Sequence, residues 1–230
     1  MTRARGHDDA VIVFLKAPVA GEVKTRLSPG IAPAAAALLY RAMVEDLLAR
    51  LERLASADVL LHHAPESSRG AIARWLGPDR RLARQRGADL GARMSHAFRS
   101  AFHDGYGRVV IVGSDVPELT GRIVRAGLAA LRRHDVALAP AHDGGYYLIG
   151  LREPRPGLFH EMRWSTRGVH AETVRRLTRL GLTHAELPPL EDIDTYASLR
   201  RLRDRLDKGA IRPASMPRVA AIVRAMRLPR

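Results

Sequence analysis

The sequence predicts an α/β domain built on a mostly parallel sheet with helices on both faces. Short apolar runs alternate with longer stretches of helical period along most of the chain, the pattern of strands joined by helical crossovers. The chemistry-bearing motifs fall in loops that follow those runs, and no internal repeat or low-complexity linker divides the chain.

Residues 10–15 read as a buried strand, followed by a basic Gly/Pro-containing loop from Lys16 to about Gly30. A helix starts near Pro33, whose fixed φ suits a first turn, and carries Leu38, Leu39, Met43, Leu47, Leu48, Leu51 and Leu54 as an apolar stripe. Residues 58–62 form a second strand, 71–76 a short helix stopped by Gly77-Pro78, and 81–85 a third strand. A helix over 91–102 aligns Met94, Ala97, Phe98 and Ala101. Residues 109–112 form the strongest strand, and Thr120 caps a helix over 120–133. Strands over 136–139 and 146–151 flank the turn Asp143-Gly144-Gly145. A helix over 169–180, a strand over 183–187 and a helix over 196–206 complete the domain, assigned to residues 1–206. Residues 207–230 form a tail in which Val219, Ile222, Val223 and Met226 share one face of a basic amphipathic helix; resting on its own domain is preferred to lying on a membrane.

The 230 residues are 46% hydrophobic and only 5% aromatic, a globular composition able to bury a core. Without cysteine there are no disulfides, thiol nucleophiles or cysteine-held metals. No apolar run is long enough for a membrane span, and the N-terminus lacks a signal-peptide plan, so the cytoplasm is the expected compartment. The net charge is +14, and Lys16, Lys24 and Lys208 are the three lysines among 38 basic residues. The arginines are scattered and few aromatics are available for base stacking, so phosphate-bearing small molecules are better partners than a specific nucleic acid. A homodimer is compatible with the sequence. No Walker loop, Gly-x-Gly-x-x-Gly, Gly-x-Ser-x-Gly or His-Glu-x-x-His occurs, which excludes P-loop hydrolysis, the usual dinucleotide site, the hydrolase elbow and zinc proteolysis.

Four post-strand segments carry chemistry. The loop after the first strand holds Lys16, Ala17, Pro18, Gly21, Lys24 and Arg26 at the sheet edge where ligands bind; its cations suit phosphate and Gly21 lets backbone N–H groups approach an anion. After the strongest strand come Ser114 and Asp115, the latter a hard oxygen ligand for Mg²⁺ or Mn²⁺. In the third segment Asp143 orients or deprotonates an acceptor, with Gly144, Gly145 and Tyr146 beside it; a plain tight turn is the competing reading. In the fourth, Asp192 and Asp194 face one way in an extended strand and could share a cation, although Asp194 also suits the N-cap of the next helix. Two weaker segments are Asp89, at a helix N-terminus suited to an anion or simply as its cap, and Trp164-Ser165-Thr166, which could contact an acceptor although Trp164 is more often core. His62 and His63 read as structural.

Lys16-Ala-Pro-x-x-Gly-x-x-Lys-Thr-Arg-Leu27, Gly87-Ala-Asp-Leu-Gly91, Gly113-Ser-Asp-Val-Pro117, Asp143-Gly-Gly-Tyr-Tyr147, Trp164-Ser-Thr166 and Asp192-Ile-Asp-Thr195 occur in that order. Together, over about residues 10–206, they resemble the radical-SAM/selenodomain-associated transferase 1 family of bacterial glycosyltransferase-like proteins, and more distantly the phospholactate guanylyltransferases. The pattern departs from that family at Ala92, at Val116 and over residues 30–33. The resemblance implies a Rossmann-like α/β/α sandwich of the GT-A nucleotide-diphospho-sugar transferase type. It implies a nucleotide on the Lys16–Leu27 loop and a divalent metal at Asp115, with Asp192 or Asp194 as a second ligand. The resulting expectation is a metal-dependent transferase, with Asp115, Asp143 and Lys24 catalytic. Glycosyl transfer from a nucleotide sugar to a small acceptor comes first and nucleotidyl transfer from an NTP second. A non-catalytic basic binding protein is the remaining alternative.

Overall fold

The computed structural model describes residues 6–28 and 30–228. Seven strands form one sheet in the order β3-β2-β1-β4-β6-β5-β7. They are β1 (Asp9–Lys16), β2 (Asp58–Ala64), β3 (Arg81–Arg84), β4 (Arg108–Gly113), β5 (Val136–Pro140), β6 (Tyr146–Leu151) and β7 (His184–Glu186). The helices are α1 (Pro33–Leu51), α2 (Arg69–Leu76), α3 (Leu90–His103), α4 (Gly121–Ala130), α5 (Val169–Arg179), α6 (Tyr196–Asp207) and α7 (Pro217–Ala225). β6 alone runs antiparallel to its neighbours β4 and β5. The remaining neighbours pair in parallel. The result is the mostly parallel mixed sheet of the expected class.

Continuous apolar strands arise because both sheet faces are covered, and alternate side chains divide between two cores. Val11, Val13 and Leu15 of β1, with Val110 and Val112 of β4, pack under α1, α4, α6 and α7. Ala10 and Ile12, with Val109 and Ile111, pack under α3 and α5. From β1 the chain winds one way through β2 and β3, then crosses back to β4 on the other side. Strand order therefore reverses between β1 and β4, and the crevice beyond their C-terminal ends is where open α/β sheets bind ligands.

Two expectations need correction. Leu38 is 57% exposed. The buried face of α1 instead runs through Ala36, Leu39, Tyr40, Met43, Val44 and Leu47, whose spacing repeats each turn and leaves Leu38 on the opposite side. Asp194 does not cap α6: Thr195 accepts from the Ser198 amide at 3.2 Å, and the Ser198 hydroxyl accepts from the Thr195 amide at 3.1 Å, a reciprocal capping box that leaves Asp194 free for other partners. The terminal helix α7 lies against α1, with Val219, Ala220 and Val223 buried in the same core as Leu47 and Leu51. Asp46 of α1 anchors it by accepting from the Val219 amide at 3.0 Å and from Arg218 at 3.2 Å.

Candidate functional site

The loops after β1 and β4 meet across a single side chain of α1. The Lys16 amide donates to the Tyr40 hydroxyl at 2.9 Å, and that hydroxyl lies 3.0 Å from Ser114 Oγ. Burial, then the charge of Asp115, pushes the Tyr40 phenol far above its ordinary pKa, so it stays a neutral hydrogen-bonding post. Tyr40 was missed by the sequence reading. Its signal was a polar tip on the apolar face of α1, at the spacing of Ala36 and Met43.

Beyond Gly21 (φ 83°), the loop turns inward at Lys24, whose φ of 52° places a non-glycine residue in the left-handed region. Such a conformation costs about 1–3 kcal/mol and persists where surrounding structure enforces it. Here it opens the single turn Thr25–Leu27, anchored by the fully buried Leu27, and carries the lysine side chain into the crevice. Lys24 Nζ sits 3.0 Å from Asp115 Oδ1 and 3.7 Å from Asp194 Oδ1. Its side chain is 3% exposed, against 46% for Asp115. Among the described residues the ammonium has no partner with good hydrogen-bond alignment, so the contact is an ion pair held by charge. Arg26 donates to the other oxygen of Asp194 at 2.8 Å. The backbone ties the two acidic segments together, because the Ile193 amide donates to the Asp115 carbonyl at 2.9 Å.

These groups edge a cavity of about 430 Å³ lined by Lys16, Lys24, Arg26, Ser114, Asp115 and Asp194 at its polar side. Phe14, Met94, Ile111, Tyr146 and Ile149 give it an apolar side. Gln85 and Arg93 also line it, and neither was singled out from the sequence. Gln85 is fixed by donating to the His62 carbonyl at 2.9 Å. An apolar cavity with few convergent polar groups is the usual form of a small-molecule site.

Other sequence candidates lie outside the cavity lining. Ala17 is buried beneath the loop, and Pro18 and Gly21 sit on its outer part. Asp89 is the N-cap of α3 and accepts from the Ala92 amide at 2.8 Å, so its carboxylate already fills the anion position at that helix end. Trp164 meets Tyr146 edge-on at 6.5 Å and lies against Gly91, where a Cβ would come within 2.6 Å of its ring; it is a packing residue. Thr166 donates to the Arg163 carbonyl at 3.0 Å, and Ser165 is exposed. Asp143 accepts from the Gly145 amide at 2.8 Å. Gly144 is required there: φ is +90° and a Cβ would fall 2.1 Å from the Arg167 carbonyl oxygen. Within the lining, the sequence-named acceptor residues are represented by Tyr146.

Asp143 nevertheless acts on the site through its charge. Burial first, then the negative charge of Asp143 and Asp194, raises the pKa of the Asp192 carboxyl despite the nearby Lys24. Among the described residues no three carboxylate or imidazole groups converge as a ready-made metal cage. The cation that Asp115 and Asp194 both face is the Lys24 ammonium; Asp115, 46% exposed, keeps hard oxygen donors open to the cavity, where a Mg²⁺ or Mn²⁺ would take its remaining ligands from water and substrate phosphates.

Residues 47–166 match the bacterial family described as "Uncharacterized protein conserved in bacteria (DUF2064)". The chain belongs to this family. The chain is similar, at 37% identity, to a crystal structure from Desulfovibrio desulfuricans G20 described provisionally as a nucleotide-diphospho-sugar transferase. That match covers 95% of this chain and 97% of the other, with a TM-score of 0.86. The chain is also 28% identical over 204 residues to a phosphoenolpyruvate guanylyltransferase of Sphaerobacter thermophilus, covering 81% of this chain and 89% of that protein. A 4-diphosphocytidyl-2C-methyl-D-erythritol synthase from Anaerococcus prevotii DSM 20548 shares the fold alone, at 9% identity and a TM-score of 0.56 over 87% of this chain and 97% of the other. This member of the family is a transferase of the nucleotidyl- and glycosyl-transferring fold. No helix among the described residues is long and apolar enough to cross a membrane.

Proposed function

We propose that the protein transfers a nucleotidyl group from an NTP to a small acceptor, with Mg²⁺ or Mn²⁺ bound at Asp115 and Asp194. The observation that carries this reading is Lys24, buried and seated between those two carboxylates at the mouth of a cavity bordered by Lys16 and Arg26. A cavity of about 430 Å³ falls within the roughly 300–1,000 Å³ typical of small-molecule sites. The relationship to a guanylyltransferase over most of the chain supports nucleotidyl transfer.

An acceptor oxygen would attack the α-phosphorus, and the bond to the β-phosphate's bridging oxygen would break, its electron pair leaving with pyrophosphate. Lys16, Lys24 and Arg26 stabilise the charge that grows on that leaving group, and such preorganised electrostatics is usually the largest catalytic term. The bound divalent ion would add charge neutralisation at the same phosphates. Tyr40 holds the two phosphate-facing loops in register, and the apolar wall of Phe14, Met94 and Ile149 excludes water around the base. Such donors are plentiful in the cytoplasm, which remains the proposed compartment.

Glycosyl transfer from a nucleotide sugar is the second reading, favoured by the Asp143–Asp192 acid pair. A carboxyl pushed up by burial, and then by a like-charged neighbour, suits the removal of a proton from an acceptor hydroxyl. One assay separates the two. The purified protein is incubated with each NTP or with nucleotide sugars, Mn²⁺ and a panel of phosphorylated acids and polyols, and the released product is identified. Metal-dependent pyrophosphate release is expected; release of nucleoside diphosphate from nucleotide sugars alone would replace the first reading with the second.

A further inference from the structure

The sheet edge away from the catalytic cavity carries a second groove, of about 1060 Å³, between β2, β3 and α3. Its charge is one-sided. Arg84, Arg86 and Arg99 line it, with Arg69 at one end donating to the Leu82 carbonyl at 3.1 Å. The single acidic residue in the lining, Glu66, is exposed and pairs with Arg84. Arg86 and Arg99 are exposed and have no carboxylate partner among the described residues, so their charge is open to the groove.

A second observation lies in the floor. His62 is 5% exposed and lines the groove, yet its Nδ1, closed off from solvent, has no hydrogen-bond partner among the described residues. Native proteins rarely leave a buried polar atom unpaired, and this one belongs to a ring in the floor of an open, basic groove. Its ring stacks on Phe14 at 6.0 Å, which fixes its plane. The other titratable groups facing it are His96 and His103 of α3 and His63, whose Nδ1 lies 3.1 Å from Ser68 Oγ.

We propose that this groove is a second binding site, for a small, multiply charged anion of the phosphate class. Arg86 and Arg99 supply the unpaired charge, and the His62 ring adds positive charge at the floor once it is protonated. Burial first, then His96 and His63, holds the free His62 imidazole down at about 4, so that it is neutral at pH 7 when the groove is empty. An anion reverses that balance by favouring the charged ring, and binding therefore takes up a proton and tightens as pH falls. His96, held low by burial and by Arg86, Arg99 and Arg84, responds in the same direction. The site does not depend on the transferase reading, because it shares no charged side chain with the catalytic cavity.

Calorimetric titration of the full chain with inorganic pyrophosphate, in EDTA, tests it. Two binding events are expected, one lost in Lys16→Ala/Arg26→Ala and the other in Arg86→Glu/Arg99→Glu. The second pair is exposed, and an unchanged thermal melt will verify that the fold is intact. Relative to the same event in His62→Phe, which cancels the titration of pyrophosphate itself, the groove event should tighten about tenfold between pH 8 and pH 6. It should also shift the His62 ring signals in an NMR spectrum. NTP titrated in parallel distinguishes the source: equal affinity assigns the site to nucleotide tails, and a clear preference for pyrophosphate assigns it to the free anion. A single pyrophosphate event indifferent to Arg86→Glu/Arg99→Glu overturns the proposal. So does preference for a short RNA with a steep salt slope that the same variant abolishes.

Discussion

The loop after β1 and the turn between β5 and β6 bear similar short motifs of glycine and charge, but they are held in opposite ways. In the first, Lys24 and Arg26 reach acids that lie 91 and 168 residues away, Lys24 to Asp115 and Arg26 to Asp194. Nothing in the loop itself fixes these side chains. In the second, Asp143 accepts from Gly145 two residues on, and nearby Thr166 donates to Arg163 three residues back. Those groups satisfy themselves. A polar side chain held only by distant elements has had its position imposed by the fold, which is the geometry a reaction needs. One held by its own turn explains its presence by local structure.

The comparison is broken most directly at Asp115. Asp115→Ala removes a proposed metal ligand and strands the buried Lys24 ammonium without its nearest counter-charge. Turnover should fall by about 10²–10³-fold, the loss seen when a key electrostatic group is removed. Asp143→Asn keeps the turn's acceptor and should cost much less under nucleotidyl transfer. Equal losses in the two variants, measured as kcat/KM with saturating Mn²⁺, would contradict the distinction drawn between the two loops.

Acid offers the next largest effect, on the half of the sheet that carries the phosphate loop. His62 of β2 has a folded-state pKa near 4 against about 6.5 unfolded. With the folded value depressed, the unfolded chain binds the extra proton. Stability is therefore full above about pH 6.5 and declines as pH falls toward 4, by up to about 3 kcal/mol. Denaturant unfolding from pH 7 to 4 should show this slope, and His62→Phe should flatten it while preserving the stack on Phe14. Pyrophosphate bound in the groove should reduce the slope in the native protein alone.

How much of this was legible in the sequence follows the same division. Strand and helix alternation was readable because each element's pattern is local: Val109 to Val112 cannot be anything but a buried strand between its polar flanks. The direction of β6 was not, since a strand buried on both faces looks alike whichever way it runs; the five-residue connection from Pro140 to Tyr146 was the available hint of a hairpin. Lys16, Lys24, Arg26, Ser114, Asp115 and Asp194, all named from the sequence, line a common cavity because sheet topology brings post-strand loops together. Gln85, Arg93 and Tyr40 were missed because their side chains reach the cavity from a strand exit and from two helix faces, with no motif to announce them. The left-handed Lys24 was equally silent, as lysine has no intrinsic preference for that conformation.

A smaller effect sharpens the contrast at the boundary between the two regions. Thr195 closes the capping box of α6 immediately after Asp194. Thr195→Ala should cost about 1 kcal/mol of stability, as for other N-caps, measured by urea unfolding. Because the cap fixes the backbone that presents Asp194 to Arg26 and Lys24, the variant should also weaken metal-dependent nucleotide binding several-fold. Thr195→Ser keeps the hydroxyl and should restore both.

The smallest expected change is at Thr166, and its smallness is the point. The residue sits in the Trp164-Ser165-Thr166 motif, is exposed, and donates to the Arg163 carbonyl in its own turn. Thr166→Val removes that donor at little steric cost. An exposed local hydrogen bond contributes about 0.5–1.5 kcal/mol at most, so the thermal midpoint should drop by a few degrees and kcat/KM should stay within about twofold. A tenfold rise in the KM for the acceptor, with kcat preserved, would mean that the turn carries substrate after all. The self-satisfied hydrogen bond seen without ligand would then be one that the acceptor displaces, and the distinction between imposed and local side chains would fail on the acceptor side.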